Sequence, residues 1–200
     1  MNSHKDKLSK KLVIFASGNG TNAENIIKHF KNSDIAETVA VFSNNRKAEA
    51  LKRAHRLGVK ALHFDRDALY DTNDVLNVLK DIQPDLIILA GFLWLFPEKI
   101  LQQFPNKVIN LHPALLPKFG GKGMYGNAVH KAVLDKKEKE TGITIHYVNA
   151  HYDEGDIIFQ KSFLIDPDMD YPEIAEKIHS LEYSHFPLVI EELLSKPAGE

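Results

Sequence analysis

Cysteine is absent from the 200 residues, which excludes disulfides and thiolate metal ligands and fits a reducing compartment. A membrane-length apolar segment is also missing. The longest apolar run, residues 86–96, has 11 residues, against the ~20 that a spanning helix needs. Charge of one sign does not dominate: 25 Lys plus Arg stand against 27 Asp plus Glu, so no global basic field invites nucleic acid. Ten histidines are present, but none has His-x-x-x-His spacing with a nearby acid, and no metal is expected. The first ten residues are polar and basic with no signal-peptide core behind them. A cytoplasmic protein without membrane attachment is the expectation. Hydrophobic residues make up 44%, enough for a real core, and the length suits one domain. The expected division is a polar tail over residues 1–10 and a single domain over 11–200.

Short apolar segments then alternate with helical patterns. Residues 12–16, 39–42, 61–64, 86–90 and 108–111 are predicted strands, and 22–31, 47–57 and 72–82 are predicted helices. Gly58 and Pro84 stand where the second and third of these helices should end. This alternation predicts an α/β, Rossmann-like fold: a mostly parallel central sheet with helices on both faces. After Pro117 the texture changes to a glycine-rich loop, a helix over 127–134 and two longer strands, 143–148 and 157–165. Those strands are predicted to form an antiparallel C-terminal extension. A last helix over 172–194 is expected to be interrupted near Pro187.

Three stretches carry possible chemistry. In Asn110-Leu111-His112-Pro113, a strand presents an amide and an imidazole at i and i+2, hence on one side, before proline stops it. That pair reads either as an active site or as a solvated strand terminus. In Ser17-Gly18-Asn19-Gly20-Thr21-Asn22-Ala23, glycines lie between a strand and a helix N-terminus, where backbone N–H groups favour an anion. The acidic residue of a dinucleotide fingerprint is missing after the second strand, where Ser43-Asn44-Asn45-Arg46 stands. A substrate phosphate, a dinucleotide and a plain tight turn all remain open there. Third, Asp153-Glu154-Gly155-Asp156 between the late strands is either a carboxylate partner for His112 or an ordinary hairpin turn. His146 either faces the same region or satisfies a core hydrogen bond. The aromatics of Phe92-Leu93-Trp94-Leu95-Phe96 either wall a pocket for a flat heterocycle or pack in the core.

Taken in order, these stretches closely resemble the phosphoribosylglycinamide formyltransferase family, folate-dependent enzymes of purine biosynthesis. The resemblance rests on 17–22, 41–44, 84–92, the run Asn110-Leu111-His112-Pro113-Ala114-Leu115-Leu116-Pro117-Lys118, 141–148, the Asp153 turn and 182–187. It extends from about residue 11 to 193. The Asn-x-His-Pro-x-Leu-Leu-Pro motif marks the wider superfamily of formyltetrahydrofolate users, and the Ser-Gly-Asn-Gly-Thr-Asn opening points to this member. The family usually continues after Lys118 with an aromatic-Pro-Gly loop, whereas this chain has Phe119-Gly120-Gly121-Lys122-Gly123-Met124-Tyr125-Gly126.

The resemblance implies roles. Asn110, His112 and Asp153 match the catalytic trio. Gly20, Thr21, Asn22 and Ala23 fall where the family grips the substrate phosphate, and His179 and Glu182 where it holds the glycinamide end. Arg66, Leu93, Trp94, Leu95, Phe96, Asn110, Asn149, Ala150, His151, Tyr152 and Asp153 fall at the folate site. The implied reaction moves a formyl group from 10-formyltetrahydrofolate, a co-substrate, to glycinamide ribonucleotide, without metal, in a monomer or homodimer. Rival readings are a tRNA formyltransferase, disfavoured because no RNA-binding domain follows Glu200, and a formyltetrahydrofolate hydrolase, disfavoured because the first strand starts near residue 11. A sugar-nucleotide formyltransferase and a catalytically silent nucleotide- or folate-binding module complete the set.

Overall fold

A computed structural model describes residues 9–195, so of the proposed tail only Ser9 and Lys10 lie within the described residues. The chain forms two compact units. One comprises the residues up to Phe92 together with those from Pro187 onward, and the other is Leu93–Phe186.

In the first unit the elements follow as β1 (Lys10–Phe15), α1 (Thr21–Phe30), β2 (Ala36–Ser43), α2 (Glu49–Arg56), β3 (Lys60–His63), α3 (Arg66–Tyr70), α4 (Asp74–Ile82) and β4 (Leu86–Leu89). The strands are parallel and lie in the order β3-β2-β1-β4, as the alternation predicts. Their continuous apolar sequences suit strands covered on both faces: Leu12 to Phe15 and Ile87 and Ile88 are fully buried. At the carboxyl end of β1, Phe15 stacks on Phe42 with ring centroids 4.8 Å apart and meets Phe64 and Phe92 edge-on at 5.7 and 5.5 Å. Each such pair adds about 0.5–1.5 kcal/mol beyond its buried area.

Helix α1 buries Ala23, Ile26, Ile27 and Phe30, a three-and-four spacing that lays one face on the strands. Gly58, at φ +76°, ends α2: its N–H reaches the His55 carbonyl and the Val59 N–H reaches Ala54. Helix α4 ends at Gln83 in the left-handed region, just before Pro84. Helix α3 has no counterpart among the sequence expectations. Its five residues are too few for a periodic pattern, and its start is set by the Asp65 carboxylate accepting from the Ala68 N–H at 2.9 Å.

The second unit contains α5 (Glu98–Gln103), β5 (Val108–His112), α6 (Asn127–Asp135), β6 (Glu140–Tyr147), β7 (Ile157–Leu164) and most of α7 (Tyr171–Ser195). Strands β5, β6 and β7 pair antiparallel, the predicted extension. Gly142 lets β7 approach closely, since a Cβ there would run into the Lys161 carbonyl. The expected interruption of the last helix is corrected: α7 runs on through Pro187. Proline removes the one N–H that would bond the Tyr183 carbonyl, and the turns on either side hold the helix together. No helix among the described residues is long and apolar enough to cross a membrane.

Candidate active site

Strand β5 ends by placing Asn110 and His112 on one face, opposite His146 and Thr144 of β6. His112 and His146 are both buried. The acidic turn folds back onto this face for identifiable reasons. A bulge at Ile145/His146 breaks the β6–β7 register, and the Tyr147 N–H bonds the Asp156 carbonyl at 2.9 Å. Gly155 packs against the Tyr147 carbonyl so tightly that a Cβ would collide with it. Asp153 takes φ +59°, a left-handed conformation that Asp tolerates better than most residues but that is often found where a side chain must be aimed.

The result is a converged network. Asp153 Oδ2 lies 3.6 Å from His112 Nδ1 and accepts from the Gly121 N–H at 2.9 Å. Asp153 Oδ1 accepts from Asn110 Nδ2 at 3.3 Å and lies 3.6 Å from His146 Nε2. Asn110 Nδ2 is also 3.1 Å from His146 Nε2, whose Nδ1 is 2.8 Å from the Tyr147 carbonyl. A carbonyl can only accept, so His146 Nδ1 carries its proton and Nε2 accepts from the Asn110 amide. By the same logic His112 Nε2, 2.8 Å from the Phe119 carbonyl, carries a proton, and Nδ1 is the basic nitrogen facing Asp153. The solvated-terminus and plain-turn readings of these residues are therefore replaced by a built cluster.

Electrostatics follow from this geometry. Burial lowers the His112 imidazole below its ordinary value; Asp153 and the Phe119 carbonyl pull it upward without overcoming that effect. Burial pushes the Asp153 carboxyl up, but the surrounding His146, His112 and Gly121 N–H outweigh it and hold the carboxyl below its usual range.

The other expected site residues fall as follows. Gly20 sits at the head of α1 with φ +69°, so close to Ala50 that a Cβ would collide, and Thr21, Asn22 and Ala23 form the first helical turn. Arg53 bonds the Asn19 carbonyl at 2.9 Å and pairs with Glu24, bracing this loop. Arg66 opens α3 with its guanidinium 4.8 Å from the Tyr70 ring centroid. Leu93 is exposed, Trp94 and Leu95 half-buried, and Phe96 buried. Asn149 accepts from the His151 N–H in the loop that includes Ala150 and leads to Tyr152. Tyr152 and Asp153 line a cavity of 490 Å³ with Leu116, Pro117, Gly120 and Ile157. On α7, His179 Nδ1 is 3.0 Å from the buried Glu182 carboxylate, which raises the imidazole above its ordinary value. Among the described residues no cluster of His, Asp and Glu is arranged to hold a metal ion.

His130 was not among the expected site residues. It lies buried on α6, its Nδ1 without a hydrogen-bond partner, within electrostatic reach of Glu182, His179 and His112. Burial dominates and lowers this imidazole. Its only trace in the sequence is a histidine on the apolar face of a helix, which most often means a core residue.

Residues 10–190 match the formyl transferase family. The phosphoribosylglycinamide formyltransferase of Bacillus subtilis is 34% identical over 190 residues, spanning 92% of this chain and 95% of that protein. The chloroplastic phosphoribosylglycinamide formyltransferase of Arabidopsis thaliana is 34% identical over 188 residues; the match takes in 90% of this chain but only 64% of that longer protein. In structure, glycinamide ribonucleotide transformylase 1 of Symbiobacterium toebii superposes with a TM-score of 0.85 at 29% identity, covering 97% of this chain and 92% of that one. The chain belongs to the formyl transferase family, among its phosphoribosylglycinamide formyltransferases.

Proposed function

We propose that this protein transfers a formyl group from 10-formyltetrahydrofolate to the amine of glycinamide ribonucleotide, a step of purine biosynthesis. The observation that carries the reading is the meeting of Asn110, His112 and Asp153 in one buried cluster. The Bacillus subtilis relative, matched over 95% of its length, supports it by name.

The chemistry needs no covalent enzyme intermediate. The substrate amine attacks the formyl carbon, forming a C–N bond and a tetrahedral oxyanion. The bond from that carbon to N10 then breaks, and the proton lost by the amine ends on N10. His112 Nδ1 is the group that receives the proton; protonation turns its 3.6 Å approach to Asp153 into an ion pair. The low-lying Asp153 carboxyl stays ionised throughout to support that charge. Asn110 supplies the oxyanion donor. Its 3.3 Å bond to Asp153 is the longer of its two, and that N–H is the one to be redirected as charge develops on oxygen. One such donor is worth about 2.7–4 kcal/mol in the transition state.

Gly20, Thr21, Asn22 and Ala23 take the substrate phosphate, since the head of α1 offers backbone N–H groups and the positive end of its dipole. His179 and Glu182 hold the glycinamide end. Leu93, Trp94, Leu95, Phe96, Arg66 and residues 149–153 bind the folate. The protein works in the cytoplasm, as a monomer or homodimer, without a metal.

The test is formyl transfer from 10-formyltetrahydrofolate with three acceptors: glycinamide ribonucleotide, amino-sugar nucleotides and water. Product with the glycinamide alone is expected. Transfer to an amino sugar, or hydrolysis alone, would replace this reading with the corresponding rival, and no turnover would favour a silent binding module.

A further inference from the structure

We propose that Gln160, on the outer strand β7, is a positioning residue for His112, acting through the turn that follows the imidazole. The inference rests on the formyl-transfer reading for its kinetic arm only. Its basis is a row of residues in register across three strands: His112 on β5 faces Thr144 on β6, which faces Gln160 on β7.

The Thr144 hydroxyl is fully used. It donates to the Ala114 carbonyl at 2.6 Å and accepts from the Leu116 N–H at 3.0 Å and from Gln160 Nε2 at 2.9 Å, its complete complement of one donor and two lone pairs. Gln160 Nε2 also donates to the Leu116 carbonyl at 3.0 Å. Side chains of β6 and β7 therefore hold both main-chain polar groups of Leu116. Three residues further on, the Phe119 carbonyl receives the His112 Nε2 proton, and the Gly121 N–H reaches Asp153. Gly120, between them, is packed so that a Cβ would come within 2.7 Å of Leu116 Cδ2 and 3.1 Å of Asp153 Cβ. Movement of Leu116 is thus passed directly to the contacts that orient the imidazole and the carboxylate. Gln160 itself is largely exposed, so its replacement opens no core cavity. What it contributes is the fixed position of the turn.

The experiment compares wild type, Gln160→Met, which keeps length but has no donor, and Lys161→Ala as a neighbouring control. In formyl transfer to glycinamide ribonucleotide, Gln160→Met should lower kcat about tenfold with both KM values within about twofold, as expected for misplacement of a catalytic group. In the substrate-free protein, NMR should show the His112 ring resonances displaced in Gln160→Met and unmoved in Lys161→Ala. Wild-type kcat with unmoved His112 resonances would overturn the proposal. So would a fall in kcat that tracks a lower melting temperature while His112 stays unmoved, which marks a structural role. Inactive wild type would reject the formyl-transfer reading instead, and the His112 resonances would then decide the role of Gln160 alone.

Discussion

Asn110 and His146 stand directly opposite each other on β5 and β6, with Asn110 Nδ2 3.1 Å from His146 Nε2. Because His146 Nδ1 gives its proton to the Tyr147 carbonyl, Nε2 can only accept, and this fixes which way the Asn110 amide faces. The Asn110 amide is therefore held with its nitrogen toward His146 and Asp153 before any substrate arrives.

Replacing His146 with alanine removes that acceptor and leaves a half-buried amide free to turn. The variant should lose roughly 1–3 kcal/mol of stability, the cost of an unsatisfied buried donor. It should also lower kcat more than it raises either KM. Denaturant unfolding and steady-state kinetics check both parts, and an unchanged kcat in a folded variant would remove Asn110 orientation from the account.

Asp153→Asn takes away the charge that supports protonated His112. Asp153 raises the His112 imidazole, so its neutralisation should move the acid limb of the rate profile to lower pH and cut kcat by orders of magnitude. A variant altered only in stability would make the acidic turn structural. The pH dependence of single-turnover formyl transfer separates the two outcomes.

Stability should depend on pH with opposite signs at different histidines. His112 and His130 are lowered by burial, so the unfolded chain binds more protons once pH falls below the ordinary 6.5, and stability is lost there. His179 is raised by Glu182. Its contribution is complete below 6.5 and fades as pH climbs through its raised folded value. The lowered Asp153 carboxyl contributes above 3.8 and is lost as pH falls through its folded value. Calorimetric melting from pH 4 to 8 should show a shallower acid-side decline in His130→Gln, and a flatter alkaline-side decline in His179→Gln. The reverse pattern would contradict the assigned environments.

Gly20→Ala forces a Cβ into Ala50 at a residue with φ +69°. The left-handed backbone alone costs an alanine about 1–2 kcal/mol. Beyond lower stability, KM for glycinamide ribonucleotide should rise while KM for the folate holds, because the loop proposed to take the phosphate is the part distorted. Equal changes in both KM values would take the phosphate away from this loop.

The parallel strands were legible in the sequence because each is a short apolar run punctuated by a helix with clear ends, such as Gly58 and Pro84. The antiparallel extension was legible from the alternation along β6 and β7. Helix α3 was not, since five residues carry no period and its stability comes from the Asp65 cap. Pro187 misled because proline's local cost was read without the turns around it. In the site, Asn110 and His112 were legible from their i, i+2 spacing. That Asp153 reaches them depends on a bulge, a left-handed residue and the absence of a Cβ at Gly155, none of which a pattern displays. His130 was invisible for a different reason: a buried histidine on a helix looks like core, and only its neighbours give it a charge environment.

The central claim is that His112 Nδ1, with Asp153, carries the proton from amine to leaving nitrogen. The most direct measurement is single-turnover transfer from 10-formyltetrahydrofolate to glycinamide ribonucleotide by wild type and His112→Ala, with substrate affinities measured alongside. The expected rate is lower by orders of magnitude, with affinities changed little. Transfer by a folded His112→Ala at the wild-type rate would contradict it.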